Sequence, residues 1–338
     1  MGSILIMENL VRELIQEEME IKPMAQHINK YIIFLVLFLI SCGENNRATQ
    51  STVPTPVVVY TPGELVSDGQ GYIQYRVGNT PVIITVPHDG TLVPSNMADR
   101  MGDTERAVNT RKVAEQFAVF FNANSNGLFP HIIYNNVSRI KLDPDANLMD
   151  GAQGNSYANQ SYGTYHSYLQ TAIDSVEANF DAGLLLNLVE HDNATQQFEL
   201  GYLLSDSDLN LSDEVLNNGY RTLSSISQLS SISAASFAEV LRGYSSFGNY
   251  LFAASYNGSS FQVVPTLDNP NAPSDGYTSG GYTLTTYGKE RLGEINAIEV
   301  ATPYAGFRDN ANAYRAVGVV LEDATYKFYQ EQLGISLY

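Results

Sequence analysis

Cysteine is almost absent from this chain: Cys42 is the only one in 338 residues, which excludes a disulfide within the chain. Tryptophan is missing altogether, so the aromatic fraction of 11% rests on 22 Tyr and 14 Phe. Basic residues are scarce as well, 18 Lys and Arg against 36 Asp and Glu, for a formal net charge of -18. A surface of that sign repels phosphate backbones and argues against nucleic acid as a partner. Charged residues make up only 16% of the chain, and Ser, Asn, Thr, Gly and Tyr carry most of the polarity. That mix suits an extracellular surface. Several catalytic signatures are also lacking: there is no phosphate loop, no GxSxG elbow and no HExxH helix.

Long apolar runs are lacking too. Ile32 to Ile40 is unbroken, but nine residues reach only about 14 Å as a helix, against a bilayer core of about 30 Å. The run has the length of a signal-peptide apolar region, with Lys30 before it and Ser41-Cys42-Gly43 after it. Leu39-Ile40-Ser41-Cys42 resembles the bacterial lipobox, in which the Cys thiol is acylated and becomes the mature N-terminus. The alternative is a buried structural Cys after a hydrophobic helix. Residues 1–23 form a charged prelude that no signal peptide needs, so Met24 reads as the start, 24–41 as the signal peptide and 42–62 as a Pro- and Thr-containing tether. The expected address is the bacterial cell envelope, with the membrane as partner through a lipid on Cys42.

From residue 63 to residue 338 strand-like and helix-like segments alternate, the pattern of a single α/β domain. Pro81 to Val86 is a short β-branched run, Leu184 to Val189 a second buried strand and Asn296 to Ala301 a third. His131 to Tyr134 and Ser138 to Leu142 read as extended. Apolar residues at helical spacing predict helices over 110–121, 165–176 and 313–328. Residues 208–242 read as helical and Ser-rich.

Five places combine a reactive side chain with a telling position. His88 lies just past a buried strand in Pro87-His88-Asp89-Gly90, where open α/β sheets hold ligands. It suits a metal through neutral imidazole, or else hydrogen bonds to turn carbonyls. Glu299 is a carboxylate inside the apolar strand Ile298-Glu299-Val300, so it is either a general base raised by burial or half of a salt bridge with Arg308. Arg139 offers a bidentate fork for a substrate carboxylate, or pairs with Asp143 four residues on. Glu190 and His191 follow the second strand and supply a metal ligand or a base, or else Glu190 to Asn193 is a polar turn. His166 sits in an amphipathic helical stripe, a placement that favours packing over ligation.

Pro87-His88-Asp89-Gly90, Ala152-Gln153-Gly154-Asn155 with Tyr165-His166, and Ser279-Gly280-Gly281-Tyr282 occur in an order that resembles the N-formylglutamate amidohydrolase-like zinc hydrolases. Ser138 to Asp143, Glu199 to Leu204, Ile298-Glu299 and Arg308-Asp309-Asn310 extend the resemblance over most of residues 70–330. The resemblance implies a three-layer αβα fold with a central mixed sheet, akin to zinc peptidases. It also implies a zinc held by two His and one acidic residue, with water attacking an amide. Three expected positions depart from that pattern, since an acidic ligand falls on Ala107, a His on Val189 and an Arg on Ala146. Glu105 and His191, each two residues away, are the nearest stand-ins, which gives His88, Glu105 and His191 as the zinc candidates. Glu299 is then the base, and Arg139 with Arg308 the substrate-binding residues.

Two functions are therefore expected. One is a lipid-anchored relative that has lost the chemistry and serves in surface binding or structure, with no cofactor. The other is an active zinc amidohydrolase cleaving N-acyl amino acids or small peptides outside the cytoplasm.

Overall fold

Prolines at 81 and 87 bracket a run of Val, Ile and Thr that has no choice but to be short and extended, and this run forms the centre of the sheet. In the computed structural model, which describes residues 60–290, 293–334, 336 and 337, it is strand β3 (Val82–Val86). The other strands are β1 (Leu65–Ser67), β2 (Ile73–Arg76), β4 (His131–Asn135), β5 (Gly183–Glu190), β6 (Phe198–Gly201), β7 (Val263–Val264) and β8 (Ile295–Thr302). They make one mixed sheet in the order β1-β2-β4-β3-β5-β8-β6-β7. The four central strands β4, β3, β5 and β8 run parallel, while β2 and β6 are antiparallel to their central neighbours.

Alternation along β3 sends its side chains to two separate cores. Val82, Ile84 and Val86 pack with Leu184, Leu186 and Leu188 against helices α1 (Thr110–Asn124) and α3 (Ala311–Leu333). Ile83 and Leu185 pack on the opposite face under α2 (Ser156–Asn179), whose Tyr165, Leu169, Ala172, Ile173 and Val176 form the predicted stripe. Helices thus cover both faces, and the αβα architecture with a central mixed sheet is the one expected. Among the described residues no helix is long and apolar enough to cross a membrane. The apolar run, Cys42 and nearly all of the proposed tether lie outside the described residues.

Two segments differ from expectation. Residues 138–142 form a turn, in which the amides of Lys141 and Leu142 return to the Ser138 carbonyl. A strand would set Arg139 and Asp143 about 13 Å apart, whereas the turn brings Arg139 Nε to 2.9 Å from Asp143 Oδ2. Residues 208–242 break into short helices. Ser205 and Ser236 accept from the amides of Asp208 and Glu239, each starting a new helical turn.

The connection from β3 leads to β4 on one side, and β5 returns to pair on the other. The carboxyl ends of β3 and β5 therefore open a crevice at the point where the strand order diverges, the usual place for a ligand in an open parallel sheet.

Candidate functional site

The motif after β3 supplies three different things. His88 turns inward and is only 3% exposed. Asp89 accepts from the amides of Asn109 (3.2 Å) and Arg111 (2.9 Å), capping α1, which has no side-chain cap of its own. A Cβ on Gly90 would lie 2.1 Å from the Val137 carbonyl oxygen, so only glycine permits this approach. The second motif is structural. Gln153 pairs with both backbone groups of Met101, and Asn155 caps α2.

At the carboxyl ends of β3 and β5, charges of both signs alternate. His88 Nε2 meets Asp143 Oδ1 at 2.9 Å, and Arg139 donates to Asp143 Oδ2 at 2.9 Å and to Glu190 Oε1 at 2.8 Å. Asp103 adds a third carboxylate, 2.7 Å from Arg139 Nη1. Arg100 was not legible as a site residue, because Asp99-Arg100-Met101 reads as a polar loop. It is buried beneath this cluster, 3.6 Å from Asp143. Burial alone would push the His88 imidazole down, but Asp143 outweighs it and lifts the group to about 10. Burial would raise Asp143, yet His88 and Arg139 hold it well below the usual carboxylate range. Glu190 is lowered because the same two cations overcome its own burial. Arg139 is thus engaged inside the protein, the second of its two sequence readings.

Beside this cluster a row of polar residues crosses the sheet under α2. Register aligns Thr85 with Asn187 and Asn187 with Glu299 on the central strands. Thr85 Oγ1 donates to Asn187 Oδ1 at 2.7 Å. Asn187 Nδ2 then donates to two carboxylates, Asp145 at 2.9 Å and Glu299 at 3.0 Å. The Ser-Gly-Gly-Tyr segment closes over them, with the Gly281 amide 3.3 Å from Glu299 and the Thr283 amide 2.9 Å from Asp145. Burial, then the neighbouring Asp145 charge, raises Glu299 to about 8, and burial raises Asp145. One amide serving two buried carboxylates favours a proton on one of them. Arg308 is not the partner of Glu299.

Above the ion cluster lies an open cleft of about 720 Å³, and Glu105, Arg106, Glu190, His191, Asp192 and Arg308 are among its walls. Four of the sequence candidates, Glu105, Glu190, His191 and Arg308, thus share one surface. Four buried atoms at or beneath it have no hydrogen-bond partner: His88 Nδ1, Glu190 Oε2, His191 Nδ1 and Arg308 Nε. Such atoms are rare in folded proteins and call for an explanation.

Zinc is the first candidate to test. His88 Nδ1 and Glu190 Oε2 are 3.7 Å apart, close enough to share one ion at bonds of about 2.0–2.2 Å. Asp143 stands behind the imidazole, where metal-bound histidines keep a carboxylate. The set stops at two. Glu105 is exposed, and its backbone rather than its carboxylate faces Arg139. His191 follows Glu190 in the chain and points away from it: its Nε2 bonds the Gln197 carbonyl at 2.8 Å, and its Nδ1 lies 3.8 Å from Glu199. Ala107 and Val189 are buried apolar side chains with no lone pair. Among the described residues no three His, Cys, Asp or Glu side chains are grouped to hold a metal ion. The residues present do not fit a catalytic zinc, and the proposed trio His88, Glu105 and His191 does not converge.

His166 belongs to a different environment, an aromatic box in which Nδ1 meets the Tyr287 hydroxyl at 2.7 Å and burial pushes the ring down to about 4. The chain is similar to the crystal structure of N-formylglutamate amidohydrolase from Ralstonia eutropha at 12% identity, with 78% of this chain and 99% of that one covered, at a TM-score of 0.47. A gene product of Agrobacterium tumefaciens is similar at 12% identity, covering 77% and 95%, with a TM-score of 0.41. The chain matches no family model and no curated protein.

Proposed function

We propose that this chain is a lipid-anchored envelope protein whose amidohydrolase-like domain binds a small carboxylate-bearing molecule, such as an acyl amino acid, and does not hydrolyse it through zinc. The observation that carries the reading is Arg308. Its residue is 2% exposed, it lines the cleft, and two of its nitrogens donate to the carbonyls of Val108 and Thr302. No carboxylate pairs with it among the described residues, and Nε has no partner. Burial lowers the Arg308 pKa while the nearby Glu190 and Asp89 charges raise it, and neither carboxylate bonds the guanidinium directly. A ligand carboxylate in the cleft adds a direct charge partner and a strong acceptor. The two-ligand remnant at His88 and Glu190 supports the loss of zinc chemistry.

Calorimetric titration with N-acetyl-L-glutamate tests the binding. The intact domain should bind it, and Arg308→Met should weaken binding by at least about tenfold, which is about 1.4 kcal/mol. The purified protein should carry well under one zinc per chain and leave N-formyl-L-glutamate uncleaved. Stoichiometric zinc lost in His88→Ala, together with hydrolysis, would restore the alternative of an active amidohydrolase.

Anchoring rests on Lys30, the apolar run and the Leu39–Cys42 lipobox-like segment. One acyl chain holds a protein only marginally, so the mature N-terminus should carry more than one. Cys42→Ala should move the protein from the membrane fraction to the soluble fraction or stop its maturation. An unchanged distribution, with no lipid mass on the wild-type chain, would rule the anchor out.

A further inference from the structure

The opposite end of the sheet carries a second opening, where the end of β2 and the amino end of β4 meet the last turns of α2. It encloses about 400 Å³, within the range of roughly 300–1,000 Å³ common for small-molecule sites. Although the chain carries a net charge of -18, no Asp, Glu, Lys, Arg or His side chain is among the walls of this cleft. Tyr75 is one wall and is held rigidly: its hydroxyl donates at 2.6 Å to His131 Nδ1, which also accepts from the Gly78 amide at 3.1 Å. Tyr60 and Phe180 line the same space and are half-buried. Asn79 spends its side-chain oxygen on the Phe129 amide at 2.8 Å, which leaves Nδ2 without a partner among the described residues. Asn179 is the converse, with Nδ2 donating to the Ser175 carbonyl at 2.7 Å and the side-chain oxygen free. The Ser175 hydroxyl has no partner there either.

We propose that this cleft binds a neutral saccharide, with the C–H face of a sugar ring on Tyr60 or Phe180 and its hydroxyls on Asn79, Ser175 and Asn179. The argument is one of matching chemistry. A charged ligand would give up hydration and meet no counter-charge on these walls. An anion is opposed further by the negative potential of the whole chain. A wholly apolar ligand would cover a free donor, a free acceptor and a hydroxyl and leave all three unpaired. A flat base gains most between parallel rings, whereas Tyr60 and Tyr75 stand edge to face, at 82° with centroids 6.2 Å apart. Sugar hydroxyls both donate and accept, so they can satisfy an amide N–H, a carbonyl oxygen and a hydroxyl together. The polarised C–H bonds of the ring suit the negative face of an aromatic side chain. Tyr75 and Asn79 are already fixed by their own hydrogen bonds, so binding orders little that is loose. This cleft is separate from that of Arg308, and neither site depends on the other.

The test is titration of the purified protein with D-glucose, D-galactose, D-mannose and N-acetyl-D-glucosamine, read by ligand-detected NMR and calorimetry. At least one should bind, and its uronate counterpart, the same ring with a carboxylate, should bind at least threefold more weakly. Ser175→Tyr puts a ring into the space from a half-buried helical position. It should weaken the bound sugar at least tenfold while the thermal unfolding midpoint stays unchanged. Asn179→Ala, at an exposed position, removes the free acceptor and should weaken binding at least threefold. Failure of all four sugars to bind at tens of millimolar would overturn the proposal. Binding that neither variant alters would place the sugar elsewhere and overturn it as well, and so would tighter binding of the uronate.

Discussion

Asp143→Asn is expected to destabilise the domain by about 3–5 kcal/mol, the cost of breaking a buried ion pair from one side. Asp143 is 3% exposed and is hydrogen-bonded to both His88 and Arg139, with Arg100 nearby. Asparagine keeps the shape but removes the charge, leaving buried cations facing a neutral amide. The effect exceeds that of a surface salt bridge, which is worth about 0–1 kcal/mol. Urea unfolding of wild type and variant at neutral pH measures it. A loss below about 1 kcal/mol would mean that water, not Asp143, balances these cations. The paired change His88→Leu should recover part of the loss, because it withdraws one of the stranded charges.

The second large effect depends on pH. Glu299 is raised from 4.5 to about 8 by burial and by Asp145, so the folded chain keeps a proton there that the unfolded chain releases above 4.5. The folded state binds more protons between those values, and this group's contribution to stability falls as pH rises through the window. The slope for one proton is about 1.4 kcal/mol per pH unit. Glu299→Gln fixes the neutral form and removes the slope. The variant should match wild type near pH 4.5 and become increasingly the more stable of the two as pH rises toward 8. Asp143 and Glu190 have lowered values, so they act the opposite way: their contribution is present at higher pH and fades as acid protonates them. They are common to both proteins and cancel in the comparison. Unfolding free energies at pH 5, 6.5 and 8 decide the matter. A difference that stays constant with pH would show that Glu299 is ionised in the folded chain at all three.

Local order was readable before any tertiary contact was known. The β-branched run before Pro87 had to be a strand, and the stripe from Tyr165 to Val176 had to lie on a core. Periodicity fixes both, whatever they pack against. The shape of Pro87-His88-Asp89-Gly90 was legible too, although its roles for Asp89 and Gly90, a cap for α1 and a close approach to Val137, depend on partners 20 or more residues away. The extended reading of 138–142 missed because alternation there is weak. A turn that lets Arg139 reach Asp143 gains charge pairing that a strand forbids.

The sequence by itself determined the alternation of strands and helices, the scarcity of positive charge and the apolar character of Ala107 and Val189, because each depends only on residue type and spacing along the chain. Only the tertiary structure decided who faces whom. Asn187 carries no signal of its own inside Leu186-Asn187-Leu188, yet strand register sets it between Thr85, 102 residues before it, and Glu299, 112 after it. Register likewise turned Glu190 toward His88 and left His191 facing Glu199. The physical reason is that a one-residue step along a strand reverses the side chain, so a substitute ligand can be near in sequence and still point away from the site.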